Sequence, residues 1–164
     1  MYYFLQYIKH LLTATNQHGV HSPFVYNYLT KCLYANTKFK GSKWENVLLK
    51  SIPYFSAKEI KISSNDFALE NRILKEFGLK SSDETLLDLV YLDNPEENVL
   101  TVYTDKIHND SFFFLKNIHS TKKTTEIWEA LRNNKKVTVS IDMFYCGLLF
   151  IRKEQAKEHF KIRI

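Results

Sequence analysis

An α/β fold around a mostly parallel sheet is what this 164-residue sequence predicts, and three observations carry the prediction. Short β-rich runs, EIKIS (59–63), LLDLVYL (86–92) and SFFFL (111–115), alternate with stretches of helical periodicity, the pattern of parallel strands joined by helical crossovers. LLDLVYL and SFFFL are apolar almost throughout, as strands covered on both faces are. VTVSID (137–142) and YCGLLFI (145–151) are parted only by Met143 and Phe144, so they are expected to pair antiparallel and close a sheet of about five strands.

The helices follow from spacing. Tyr3, Phe4, Tyr7, Ile8, Leu11 and Leu12 form one stripe, and Val25, Tyr28, Leu29, Cys32 and Leu33 a second. Between them lies HGVHSPF (18–24), where Ser22 suits an N-cap, Pro23 the first helical position and Gly19 a sharp turn. Val20 is placed to staple the corner to the second helix. His18 and His21 are the metal-ligand alternative, but no Cys, Asp or Glu within ten residues completes a set, so the segment reads as a helix-to-helix corner. Residues 44–52 are expected to be helical up to Pro53. Asp66 caps and Gly78 ends a helix over 66–78. Pro95 opens another helix reaching about Ile107, and a further one covers 124–134, while the tail after 151 is a charged turn with a short extended piece.

With 45% hydrophobic residues, 4 Gly and 3 Pro, the chain suits one domain with one core, not a disordered tract. It divides into an N-terminal helical extension (1–53) and an α/β core (54–164). Cys32 and Cys146 are far apart and belong to no CxxC pair, which points to a reduced, cytoplasmic protein. The first residues carry no basic leader and no cleavage site, and their apolar stripe is broken by Gln6, Lys9 and His10, so neither a signal peptide nor a membrane span is expected. The net charge of +5 is laid out in blocks: seven Lys/Arg against one acid in 1–58, five against twelve in 59–111, and eleven against five in 112–164. Such blocks neutralise one another within a fold, which disfavours a dedicated nucleic-acid binder.

HGVHSPFVYNYLTKCLY near the start and VTVSIDMFYCGLLFIRKEQAKEHFKIRI at the end resemble a bacterial group of class I S-adenosylmethionine-dependent methyltransferases. KIHNDSFFFLKNIHSTKKTTEIWEAL and LLDLVYLDNPEEN resemble that family's fifth and fourth strands with their flanks. The resemblance implies a truncated Rossmann-like methyltransferase fold with two extra N-terminal helices. It also implies that EIKIS is the first strand, whose following turn in the family is glycine-rich so that backbone can approach the cofactor. Here that turn reads SSNDFA, and no glycine occurs between Gly41 and Gly78. Ser63, Ser64, Asn65, Phe67 and Asp93 therefore stand at degenerate cofactor positions, with side chains at Ser63 and Phe67 expected to fill the nucleoside space. Two strands of the family appear only as a gap of seven residues after Gly78.

Lys116-Asn117-Ile118-His119 stands where the family has Asp-Asp-Ile-His, so a lysine replaces a carboxylate and a cation site is not expected. Asp93 is read as a helix cap or a binding group, and His119 as structural because no orienting carboxylate is identifiable beside it. Lys116, Lys122, Lys123, Arg132, Lys135 and Lys136 read as solvated faces more than as a phosphate-binding patch. The N-terminal stripe, with one lysine, is expected to pack on the domain or a partner instead of a membrane. The function expected is that of a non-catalytic, methyltransferase-like protein without cofactor or metal, serving as a protein-binding or scaffold subunit, as a homodimer or with another protein. An active S-adenosylmethionine-dependent enzyme with an atypical pocket is the first alternative, and an RNA-binding protein the second. The edge of EIKIS, guarded by Lys61, is expected to lie under the N-terminal helices or another chain.

Overall fold

A computed structural model describes residues 1–64, 66–83 and 86–164. Its sheet has six strands in the order β1-β2-β3-β5-β4-β6. They are β1 (Ile60–Ser63), β2 (Leu87–Leu92), β3 (Ile107–Lys116), β4 (Val139–Asp142), β5 (Cys146–Phe150) and β6 (Glu158–Lys161). Only β5 runs against its neighbours, so β1 to β4 all end at the same edge of the sheet. The expected parallel pairing of the first three strands and the antiparallel hairpin are present. The sixth strand corrects the count of five: the tail EHFK pairs parallel with β4, although its sequence is mostly charged and polar.

Helices cover both faces. α2 (Pro23–Tyr28, continued as a π-turn to Leu33), α3 (Lys43–Tyr54) and α4 (Phe67–Phe77) pack Tyr28, Leu48, Ile52, Leu69 and Ile73 against Leu89, Tyr91, Phe112, Phe114, Leu148 and Phe150. On the other face α5 (Val99–Val102) and α6 (Lys122–Asn133) bring Val99, Leu100, Trp128 and Leu131 onto Val90, Leu92, Phe113, Leu115 and Leu149. Alternate residues of β2, β3 and β5 thus feed opposite cores, which is why these runs are apolar throughout.

The chain termini of the helices follow local chemistry. Ser22 accepts from Val25 N, Asp66 from Leu69 N, and Gly78 closes α4 in the left-handed region at φ +71°. Ser42 and Glu45 form a capping box on α3, and Pro53 lies inside that helix instead of ending it. The helix expected from Pro95 to Ile107 shrinks to α5 and a 3₁₀ turn at Thr104–Lys106, with β3 already beginning at Ile107. Val99, Thr101, Val102 and Thr104 are β-branched and hold a longer helix poorly. The HGVHSPF segment is the expected corner, with Val20 buried and His18 and His21 exposed.

One expectation about surfaces is corrected and another is narrowed. The outer edge of β1 is met by the segment before β2, not by N-terminal helices: Ser82 N donates to Ile60 O at 2.7 Å and Ile62 N to Ser81 Oγ at 3.0 Å. Lys61 reaches Asp83 across that edge. The stripe of α1 (Tyr2–Thr13) does not pack inward as a whole either. Its one buried residue is His10, while Tyr3 and Tyr7 touch Phe144 with ring centroids 5.0 and 4.9 Å apart. Phe4, Leu5, Ile8, Leu11 and Leu12 face outward. The helix is held instead at its end, where Thr15 bridges to Ile162 and Arg163 donates to Leu11 O and Ala14 O.

Candidate functional site

The common carboxyl edge of β1 to β4 is where ligands of open α/β sheets bind, and two groups of polar side chains collect there. The first centres on Asp93, one residue past β2. Ser64 Oγ donates to its Oδ2 at 2.6 Å, Tyr91 Oη to its Oδ1 at 2.7 Å, and Lys116 Nζ lies 3.3 Å from Oδ1. Asn117 Nδ2 donates to the Asp93 carbonyl at 2.9 Å. Lys116 also lies 4.2 Å above the Trp44 ring, a cation–π contact that steadies the ammonium. Burial pushes the Asp93 carboxyl up, but the bonds from Ser64 and Tyr91 and the charge of Lys116 outweigh it and leave the pKa below the usual carboxylate range.

The residues read as degenerate cofactor positions are thus only partly together. Ser64 and Asp93 bond directly, and Ser63 ends β1 beside Leu92. Phe67, expected to fill the nucleoside space, is 74% exposed on the first turn of α4, because its place at N1 aims it outward while Asp66 caps the helix. The bulky groups about Asp93 are Tyr91 and Lys116, with Trp44 against both of them. Asn65 lies outside the described residues. Asp93 caps no helix, since the N-cap of α5 is Asn98.

The second group is buried between the ends of β3 and β4 and the underside of α1. Asp142, 1% exposed, accepts at Oδ1 from Phe144 N at 2.9 Å and at Oδ2 from Trp128 Nε1 at 3.3 Å. Trp128 comes this close because Gly147 on β5 has no side chain: a Cβ there would stand 2.4 Å from the indole. His119 Nε2 is 2.8 Å from Asp142 Oδ2, and His10 Nδ1 is 3.4 Å from Oδ1. So the orienting carboxylate that His119 lacked in the sequence reading is present. Phe144 turns the hairpin at φ +66°, a conformation that a bulky residue adopts at a cost. It stacks on His119 at 5.5 Å and lies against His10 and against Tyr3 and Tyr7 of α1.

The far nitrogens of the two imidazoles are also engaged. His10 Nε2 lies 3.3 Å from Ile162 O, and His119 Nδ1 lies 3.3 Å from Thr125 Oγ1, whose own proton goes to Thr121 O at 3.0 Å. Burial lowers the pKa of His10, although Asp142 and the Ile162 carbonyl pull the other way. Burial raises the Asp142 carboxyl, but His119, the Phe144 amide and His10 outweigh it, and the group stays below its ordinary pKa. Beside the cluster opens a cleft of about 280 Å³ whose lining includes Gln6, Lys9, Thr125, Glu129, Arg132 and Lys161. His10, His119 and Asp142 offer three ligand atoms within 4.8 Å of one another, a metal-capable set among the described residues. Neither His10 nor Asp142 was singled out from the sequence. The signals were a histidine flanking an apolar helix stripe and an acid closing an otherwise uncharged strand.

Among the described residues no helix is long and apolar enough to cross a membrane. No family model, no curated protein and no solved structure matches the chain. The methyltransferase resemblance rests on the quoted segments alone.

Proposed function

We propose that the protein is a non-catalytic binding subunit that associates with a second copy of itself through the outward face of α1, and that it works without S-adenosylmethionine. The observation that carries this reading is the face itself. Phe4 is 63% and Leu12 81% exposed, and Leu5, Ile8 and Leu11 lie between them on three successive turns. An apolar patch of this kind, on the order of several hundred Å², marks a contact surface on a water-soluble fold.

A second copy is the occupant the residue spacing favours. Positions 4, 5, 8, 11 and 12 are symmetric about Ile8, so two antiparallel helices crossing there set Phe4 against Leu12, Leu5 against Leu11 and Ile8 against its equivalent. One patch then serves both sides of a two-fold axis. Lys9 is the only lysine or arginine of α1, so the helix lacks the cationic flank that would hold it to anionic lipid. The engagement of Asp93 by Ser64, Tyr91 and Lys116 supports the non-catalytic part, because the strand-end acid has its oxygens committed within the chain.

Light scattering on the eluting full chain tests the proposal. The native protein is expected to be a dimer at tens of micromolar, and Leu12→Glu or Phe4→Glu to weaken association by more than about tenfold with the fold unchanged. A native protein that stays monomeric, or a dimer indifferent to both substitutions, would overturn it.

A further inference from the structure

The geometry points to a binding site for a divalent transition ion of the zinc class, formed by His10 Nδ1, His119 Nε2 and Asp142, with its remaining coordination position opening on the cleft beside Lys9, Arg132 and Lys161. This inference is independent of the self-association proposed above.

The argument begins with hydrogens. A carbonyl oxygen only accepts, so the contact from His10 to Ile162 O places a proton on Nε2. The Thr125 hydroxyl gives its proton to Thr121 O and accepts from His119, which places a proton on Nδ1 there. Each neutral ring then turns a bare nitrogen lone pair toward an oxygen of the same carboxylate. Lone pair against lone pair is repulsive, and something positive has to lie among them. His10 Nδ1 is buried without a hydrogen-bond partner, on a residue only 5% exposed.

The spacing on the His10 side suits a shared ion, while His119 Nε2, 2.8 Å from Asp142 Oδ2, stands at direct hydrogen-bond length, so a bound ion would have to part that pair. A charge-assisted N–H···O bond is about 2.7–2.9 Å long, and the 3.4 Å between His10 Nδ1 and Asp142 Oδ1 exceeds that. Bonds of about 2.0–2.1 Å from a tetrahedral zinc ion set its ligand atoms about 3.3 Å apart, close to the His10–Asp142 separation and wider than the His119–Asp142 one. The outer contacts are those that metal sites use: each ligating ring hands its other N–H to an oxygen, and the carboxylate is held by Trp128 and the Phe144 amide. Two imidazoles and one carboxylate suit zinc and its neighbours better than the oxygen-seeking calcium and magnesium. Three elements supply the ligands, so the ion would tie α1 to the hairpin and the β3–α6 turn. Lys9 and Lys161 on the rim, beside an Arg132 that is paired with Glu129, favour water or a small anion at the open position.

The test uses the untagged full chain, stripped with a chelator and titrated with zinc chloride by calorimetry and with cobalt chloride by visible absorption. One equivalent of zinc is expected to bind, and the cobalt form to show d–d bands. His119→Ala and His10→Ala are each expected to weaken binding by at least about tenfold and to change those bands, while the double substitution His18→Ala, His21→Ala leaves both as they were. His10 sits on a surface helix, so its variant keeps the test valid if His119→Ala fails to fold. No saturable zinc binding by a chain with native near-ultraviolet dichroism would mean a cluster filled by protons alone and would overturn the inference. So would a His10→Ala variant that binds zinc as tightly as the native chain.

Discussion

Lys116 sits 3.3 Å from Asp93 at the end of β3, and its ammonium supplies the positive charge that a cation would otherwise bring to that carboxylate. Because the Asp93 pKa is depressed in the fold, its contribution to stability is complete above the ordinary carboxylate pKa of about 3.9 and is lost as pH falls through the lower folded value. Urea unfolding at pH 7, 4, 3 and 2 is expected to show that loss in the native chain and a flatter acid limb in Asp93→Asn. At neutral pH, Asp93→Ala strands Tyr91, Ser64 and Lys116 and is expected to cost about 1–3 kcal/mol in the same measurement. Gly147→Ala drives a methyl group into Trp128 and is expected to cost about 1–3 kcal/mol by overpacking, read as a lower thermal midpoint. Burial pushes the Cys32 thiol up to about 12 and that of Cys146 well above its ordinary value. Neither is expected to react with a thiol reagent until the chain unfolds, so rapid native-state labelling would contradict the packing described here.

Among the elements, those whose local pattern and tertiary setting agree were legible in the sequence. LLDLVYL and SFFFL announced β2 and the buried half of β3 because both sheet faces are covered, and Ser22, Asp66 and Gly78 marked helix ends through contacts that span only a few residues. β6 was not legible as a full strand, since EHFK has no apolar alternation and is a strand only by virtue of the β4 edge. Nor was the β1 edge, whose cover comes from polar residues 81–82. For α1 the periodicity was sound but left the choice between domain and partner open: a stripe says that one face differs from the other, not which face meets the domain. His10, on the polar flank, turned out to be its anchor. The same limit hid half of the second polar cluster, because His10 and Asp142 meet only through the return of the C-terminal chain along Thr15 and Ile162. Asp93 was legible, being placed by a strand end that the sequence marks. Removing the α4 cap with Asp66→Ala is expected to lower stability by about 1 kcal/mol in urea unfolding and to speed amide exchange in the first turn of that helix alone.

As a whole molecule the chain covers its sheet on both faces, and its own backbone meets the β1 edge through residues 81–82 and the C-terminal end of the β6 edge through Thr15. The β1 edge is thus a poor route for strand addition, and the outer side of α1 carries a cluster of exposed apolar side chains. At the carboxyl edge of the sheet the strand-end groups hold one another and α1, and the reading proposed from this is a chain that acts by binding protein without S-adenosylmethionine. Titration calorimetry of the full chain with S-adenosylhomocysteine tests that claim most directly. The account predicts no measurable heat at ligand concentrations up to the millimolar range, whereas one-to-one binding with micromolar affinity would contradict it.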